Sequence, residues 1–387
     1  MQGAAERACV LPLESRLLQR PADFDAALSC GASNDQRELA KGKRLTGARI
    51  TRRTVWLSSF SLAAIGAGGF PSTARGDDAV RYGTVIGALG ALRTVLPSIE
   101  KKYGLKFDMK DFRDATSCLL ALEQGELDLT NATSQHLVRA ISEGIDVVWI
   151  SGWGGGYNVL VARRGFDAPT ADASLKDAIL ARKRQGKPVT IGVPTGSMQH
   201  AKLLLYMKSI GIDGEHDTQI VNIPFPNLPR ALEAGQVDMA MTLCIFGAIA
   251  IDKGDAKLVR HLYGEGWGKQ EIGFIVTRKL ARSKPTLVQR IVASLAQAMD
   301  TFMGNADLRI ELERKYSRLP DAVIAMQERQ FVKYNYRTNV ADLKAMAREL
   351  RDLGWVKEDY SNRVDKYIDL TFLAKATGQS AAQLSTW

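Results

Sequence analysis

Ala121-Leu122-Glu123-Gln124-Gly125-Glu126-Leu127-Asp128-Leu129 and Ala231-Leu232-Glu233-Ala234-Gly235-Gln236-Val237-Asp238-Met239 stand 110 residues apart, with Ala, Leu, Glu, Gly and Asp at matching positions. Each stretch reads as a helix that stops at its glycine, where a left-handed backbone is least costly without a β-carbon. An apolar-Asp-apolar step then opens a short strand. A polar or small loop follows: Asn131-Ala132-Thr133-Ser134-Gln135 in one, Thr242-Leu243-Cys244 in the other. A unit that recurs with its setting intact points to two lobes of similar architecture.

The pattern outward from both copies is α/β. Strands are expected at 81–86, 106–112, 127–131, 147–151 and 158–162 in the first lobe, and at 189–193, 220–223 and 237–242 in the second. Helices are expected at 89–103, 116–123 and 198–210. Alternation of this kind predicts mostly parallel, doubly wound sheets. The apolar run 239–251 is a buried strand and helix start, too short for a bilayer span. From about Ser283 the pattern turns to amphipathic helices at 287–303, 321–334, 340–353 and 361–370, with Asn339 as an N-cap and Gly354 as a C-terminal stop.

The chain has 387 residues, 45% of them hydrophobic and 24% charged, which excludes wholesale disorder and a multi-span membrane protein. Its net charge is +10. Residues 49–75 read as an export signal: Arg52-Arg53, an uncharged stretch at 54–70, and Pro71-Ser72-Thr73-Ala74 offering small residues for a cut after Ala74. The arginine pair is of the twin-arginine type; a Sec-type signal and an uncleaved anchor are the alternatives. Residues 1–48 form an extension, ascribed to a start codon placed too far upstream or to disorder. Processing would remove ten Lys/Arg and six Asp/Glu and leave 313 residues at +6. Basic residues are scattered among acids, so nucleic acid is not an expected partner. The cysteines Cys9, Cys30, Cys118 and Cys244 form no C-x-x-C pair, so neither a zinc site nor a disulfide framework is expected.

Ligands of open parallel sheets bind beyond the carboxyl ends of the strands. The segments there supply glycine, hydroxyl, amide and aromatic groups: Leu89 and Gly90; Arg113 and Thr116; Asn131, Thr133 and Ser134; Trp153; Thr195, Gly196 and Ser197; Phe225 and Asn227; Thr242. Many open helices, whose free amides and positive dipole end receive anions. The same residues also serve as ordinary caps. Arg113 is placed either to clamp an oxyanion or to pair with Asp111 or Asp114, and Trp153 either to cover a ligand or to fill a core. Gly154-Gly155-Gly156 is neither a dinucleotide-binding nor a P-loop pattern, and the chain has no nucleophile elbow. His136, His200, His216 and His261 show no metal spacing. No catalytic residue, metal or cofactor is called for.

Residues 79 to about 370 resemble the periplasmic substrate-binding proteins of ABC importers, in the branch that handles aliphatic sulfonates, taurine, nitrate and thiamine-pyrimidine precursors. The resemblance is carried by the order of several motifs. In the first half these are Lys102-Tyr103-Gly104-Leu105 and the stretch Leu120 to Asp128. In the second they are Gly192-Val193-Pro194-Thr195-Gly196-Ser197 with Tyr206 to Asp213 downstream, Arg230 to Asp238, Asp342-Leu343 and Leu353-Gly354-Trp355-Val356. It implies a type II periplasmic-binding-protein fold: two doubly wound lobes joined by two hinge strands, with a C-terminal helical segment. The crossings fall near 157–164 and 271–277, with residues 76–163 and 275–387 in lobe 1 and 164–274 in lobe 2.

The implied function is capture of a small anionic molecule (sulfonate, nitrate or carboxylate) by a monomer in the periplasm. An ABC permease and its ATPase in the inner membrane are the implied partners, after export by the twin-arginine or Sec machinery. The alternatives are a pyrimidine or thiamine-precursor binder, a binding protein of a tripartite transporter or of a sensor, and an enzyme on the same fold. That enzyme group carries a cysteine-rich motif, which Cys118 and Cys244, standing alone, do not form.

Overall fold

Gly125 and Gly235 close their helices in the left-handed region, at φ 76° and 67°. The aspartate three residues on has the same task in both copies. Asp128 accepts the Arg81 amide at 3.0 Å, and Asp238 accepts the Thr190 amide at 3.1 Å. Each carboxylate thereby ties its strand to the parallel strand beside it in the same sheet. Each also holds an arginine, Arg81 at 2.8 Å and Arg163 at 3.1 Å.

The computed structural model describes residues 78–85, 89–264 and 266–387. The extension expected at 1–48 and the signal at 49–75, with Cys9 and Cys30, lie outside the described residues. The first lobe begins with β1 (Asp78–Val85), α1 (Gly90–Tyr103), β2 (Leu105–Phe112), α2 (Ala115–Glu123), β3 (Leu129–Thr133), α3 (Ser134–Glu143) and β4 (Val147–Gly155). The second contains β5 (Asn158–Arg163), α4 (Asp172–Arg184), β6 (Val189–Val193), α5 (Met198–Ser209), β7 (Thr218–Asn222), α6 (Leu228–Glu233), β8 (Met239–Leu243), α7 (Cys244–Asp252) and β9 (Ala256–His261). The chain then returns through β10 (Ile272–Thr277), α8 (Arg278–Ser283), α9 (Pro285–Phe302), α10 (Ala306–Tyr316), α11 (Asp321–Met326), β11 (Lys333–Tyr334), α12 (Val340–Asp352), α13 (Thr371–Thr377) and α14 (Ala381–Leu384).

The sheets have the orders β11-β4-β10-β3-β1-β2 and β7-β6-β8-β5-β9. Leaving out β11, they are the same sheet built twice. β1 is parallel to β2 and β3, and β6 is parallel to β7 and β8. The expectation of mostly parallel sheets needs one correction: β10 and β5 each run antiparallel to both neighbours. They are the strands that arrive from the opposite lobe. Entering at the cleft end, they run away from the cleft, whereas the lobe's own strands run toward it. The chain leaves the first sheet at Gly155 and rejoins it at Ile272, so residues 158–163 belong to the second sheet and 272–274 to the first.

Two other elements differ from the sequence reading. The helix expected at 321–334 stops at Met326, continues as a π-turn over Gln327–Phe331 and ends in β11. Here the Glu328 carbonyl accepts buried Arg309 at 2.9 Å, an interaction the sequence pattern does not show. The helix expected at 361–370 is only a 3₁₀ turn, Val364–Tyr367. Asp359 and Asp369 accept the amides two residues ahead, at Ser361 and Thr371, a local bond that competes with helix.

The cores lie on both faces of both sheets. α9 lays Leu287, Ile291, Leu295 and Met299 on the first sheet with β1 and β10, each one helical turn apart. On its other face, α2, α3 and α12 pack together and receive Met198 and Ala201 of α5 from the second lobe. No helix among the described residues is long and apolar enough to cross a membrane.

Candidate functional site

The helix ends singled out as anion seats are largely filled by the chain itself. At α5, the Thr195 amide donates to Asn222 Oδ1 (3.0 Å) and the Gly196 amide to His200 Nδ1 (3.1 Å), while Ser197 caps the helix through the His200 amide (3.2 Å). At α2, Asp114 caps Ser117 at 2.8 Å. At α3, Thr133 caps His136, and the Ser134 amide donates to the Glu271 carbonyl at 2.9 Å. At α1, Leu89 and Gly90 are buried, and Glu313 of α10 accepts the Ala91 amide at 2.8 Å.

Five residues stand differently from the sequence expectation. Trp153 is not on a loop: it lies in β4, fully buried, edge-on to Phe274, Phe302 and Tyr334, with its indole N–H on the Tyr157 hydroxyl at 2.6 Å. The glycines beside it are an edge for close backbone packing, because a methyl group at Gly154 or Gly156 would overlap the Lys333 or Phe331 carbonyl. Arg113 and Thr116 are exposed at the start of α2. Arg113 pairs with neither Asp111, which holds Arg93, nor Asp114. Asn227 is exposed, and half-buried Phe225 lies parallel to Phe246 with ring centres 6.4 Å apart.

Asn131, Ser134 and Thr242 share a property with residues the sequence reading did not single out. They carry buried polar atoms with no hydrogen-bond partner. Around the cleft these are Thr84 Oγ1, Asn131 Nδ2, Ser134 Oγ and Gln135 Oε1 in the first lobe and Asn158 Nδ2, Thr242 Oγ1 and His200 Nε2 in the second, with Glu271 Oε1 between; Arg93 Nε, Arg290 Nε and Ser317 Oγ are further unpartnered atoms of the first lobe. Thr84, Asn131 and Thr242 sit at carboxyl ends of parallel strands. Asn158 starts antiparallel β5 opposite the end of β8, its Cα paired with Leu243. All therefore belong to the strand ends that face the other lobe. A buried polar group left unpaired costs about 1–3 kcal/mol, which a bound solute can restore. Local sequence carried no signal for Asn158, Gln135 or Glu271, whose partners Gln199, Gly196 and Tyr157 lie 41, 61 and 114 residues away.

The lobes touch around this row. Gln135 of α3 donates to the Gly196 carbonyl at 2.8 Å, Lys202 of α5 meets Glu349 of α12 at 3.1 Å, and the His200 ring lies 5.1 Å from Trp355. A groove of about 410 Å³ opens where α5 faces α12, with Ser134, Lys202, Asp342 and Glu349 on its walls.

Glu271 joins the two crossings. Its Oε2 accepts the Tyr157 amide at 2.9 Å, so a side chain on the returning crossing holds the backbone of the outgoing one. Burial pushes its carboxyl up to about 7, against the pull of the Tyr157 and Gly156 amides. His136 lies between Thr133 Oγ1 (2.7 Å) and Thr116 Oγ1 (3.1 Å), and burial pushes it down to about 4, so it is neutral. Cys118 and Cys244 are buried and unpaired. The described residues contain no His/Cys/Asp/Glu group suited to a metal ion.

Two sheets of matching strand order, a strand exchanged between them and polar strand ends facing across the gap define a two-lobed clamp. The fold is that of periplasmic binding proteins. The chain aligns with the periplasmic aliphatic sulphonate binding protein of Escherichia coli (TM-score 0.59, 20% identity, 74% of this chain and 91% of that one). It also aligns with the periplasmic nitrate-binding protein of Synechocystis PCC 6803 (TM-score 0.63, 12% identity, 79% and 90%). The chain belongs to the NMT1-like family, whose model matches residues 97–312. It is 26% identical over 223 residues to the taurine-binding periplasmic protein of Escherichia coli strain K12, a match spanning 57% of this chain and 64% of that relative.

Proposed function

We propose that this chain is the solute-binding component of an ABC importer, capturing a small organic ligand between its lobes in the periplasm and presenting the closed form to a permease. The observation that carries the reading is the row of unpartnered buried polar atoms at the strand ends of both lobes. A solute bonded to both sides holds them together, so binding favours closure. Residues 78–155 and 272–387 act as one jaw and 158–261 as the other, turning about 156–157 and 262–271. The role is non-catalytic and the working unit is one chain. The ligands named for the relatives set the first candidates: sulfonates, taurine and nitrate.

A thermal-shift screen of sulfonates, nitrate, carboxylates and pyrimidines tests the reading. At least one compound is expected to raise the melting temperature. Asn131→Ala and Thr242→Ala, one on each lobe, are expected to weaken that compound about tenfold each, the equivalent of one hydrogen bond to a charged group. No shift with any compound, or full affinity in both variants, counts against it. The Arg52-Arg53 signal fits the same reading, with the exported chain starting after Ala74. The mass of the exported protein tests the cut, and a chain that keeps residues 49–74 contradicts it.

A further inference from the structure

The amino end of α1 is a place where the sequence reading seats a ligand anion, and in the structure a carboxylate of the chain occupies it. Glu313 Oε1 accepts the Ala91 amide at 2.8 Å in a buried contact. The approach is shaped from both sides. Gly90 lets the carboxylate approach closely, since a β-carbon there would overlap the Glu313 carboxylate as it stands. Leu89, at φ 66°, is the one non-glycine residue with positive φ among the described residues, a strained backbone that persists where packing holds it. Gly90 and Glu313 both stand outside the span matched by the family model, 97–312.

The guanidiniums here are engaged elsewhere: Arg93 of α1 pairs with Asp111 and lies over the Tyr316 ring, 5.2 Å from its centre. Arg309, one turn earlier on α10, is spent on Glu328: Nε to Oε2 at 2.8 Å and Nη2 to the carbonyl at 2.9 Å. The Tyr334 hydroxyl donates to the same carboxylate at 3.0 Å. Tyr316 and Tyr334 are the other titratable groups near Glu313. Glu328 thus takes the Arg309 guanidinium, and Glu313 does not share it. Burial and the Glu328 charge raise the Glu313 carboxyl to about 7. An independent feature of the same end of the fold points to a ligand. The register Tyr82–Leu129 and Gly83–Thr130 puts Thr84 beside Asn131. Thr84 shares the Tyr82 face of β1, and Tyr82 belongs to the same buried cluster as Leu89 and Ala91. Thr84 is 0% and Asn131 7% exposed, and Thr84 Oγ1 and Asn131 Nδ2 have no partner.

We propose that Glu313 is a specificity-determining residue: it keeps oxyanions from the amino end of α1 and selects a solute that presents an amine there, with its oxyanion seated elsewhere in the cleft. This rests on the reading of the chain as a solute-binding protein and narrows it. The position that would anchor a simple anion instead repels it while Glu313 is ionised. The same carboxylate attracts an ammonium group.

Calorimetry with taurine, ethanesulfonate and inorganic sulfate tests this on the wild type, Glu313→Ala and Glu313→Gln. Taurine and ethanesulfonate differ by one ammonium group. The wild type is expected to bind taurine at least tenfold more tightly than ethanesulfonate at pH 8. Glu313→Ala is expected to lose that preference and to bind sulfate at least tenfold more tightly than the wild type. Wild-type affinity for sulfate should rise as the pH falls below about 7, where the carboxyl takes up its proton. In Glu313→Gln, which keeps an acceptor for Ala91 and so guards against a folding defect, sulfate affinity should be flat with pH. Unchanged preference in both variants overturns the proposal, as does the absence of any sulfate gain. If the screen finds a ligand but the wild type ignores the ammonium group, the specificity role fails and the solute-binding reading stands. If no compound in the screen binds the wild type, the solute-binding reading fails and the specificity role fails with it.

Discussion

Glu271 shows how one buried carboxyl can report on the hinge. Its proton affinity is raised in the folded chain, to about 7 from an ordinary 4.5. The folded state then binds the proton more tightly than the unfolded one, so this group's contribution to stability is full below about 4.5 and is lost as the pH rises through about 7. His136 acts oppositely, since its proton affinity is lowered by burial. The informative quantity is therefore the difference between wild type and Glu271→Gln. The variant is expected to gain stability relative to the wild type on going from pH 5 to pH 8 in urea titrations. A difference that does not change with pH would show that Glu271 is not buried at the crossing. Asp128 and Asp238 belong to the same scale. Their place in the repeat is visible in sequence, and their bonds to the amides of Arg81 and Thr190 explain why an acid stands there.

At the scale of elements, the glycine-rich end of β4 decides how the C-terminal segment docks. The Gly152 amide donates to the Tyr336 carbonyl at 2.7 Å, and the Asn335 amide to the Trp153 carbonyl at 3.0 Å. Gly154 has φ 134° and no room for a β-carbon beside Lys333, whereas Gly125 has φ 76° and open space around it. Gly154→Ala combines backbone strain with overlap and is expected to cost about 3 kcal/mol. Gly125→Ala adds strain alone, about 1–2 kcal/mol. Chemical denaturation separates the two, and equal costs would mean that β11 does not lie against Gly154. The sequence shows the glycines but not their partner, which is about 180 residues away. For the same reason a pattern that fits a ligand loop is here a packing edge.

At the scale of the molecule, the jaws are tied beyond the two crossings. Val323 of α11 packs on Ile245 and Ala248 of α7, and Phe331 and Val332 pack with Val159 and Val161, before β11 returns to the first sheet. Lys202, 3% exposed in its side chain, bridges the jaws through Glu349. Breaking a buried ion pair by removing one partner typically costs 3–5 kcal/mol, less where one side is partly solvated as Glu349 is. Lys202→Met keeps the packing volume but removes that tie, so the unliganded chain is expected to open. Small-angle scattering should show a larger radius of gyration than for the wild type, and an unchanged radius would mean that the Lys202–Glu349 pair does not hold the jaws.

The sequence by itself determined the lobe plan. The repeat at 121–129 and 231–239, the α/β alternation and the helical tail are set by periodicity and glycine placement, which act over a few residues. It also identified Asn131, Ser134 and Thr242 at strand ends. Tertiary structure alone decided the direction of β5 and β10, the burial of Trp153, the turn of 321–334 out of helix, and the filling of the α1 and α5 helix ends by Glu313 and by Asn222 and His200. Apart from the His200 contact, four residues from Gly196, each of these turns on partners far along the chain. A free amide at a helix end is written in the sequence, but whether a ligand or the protein's own carboxylate satisfies it is settled only when the second lobe and the C-terminal segment fold against it.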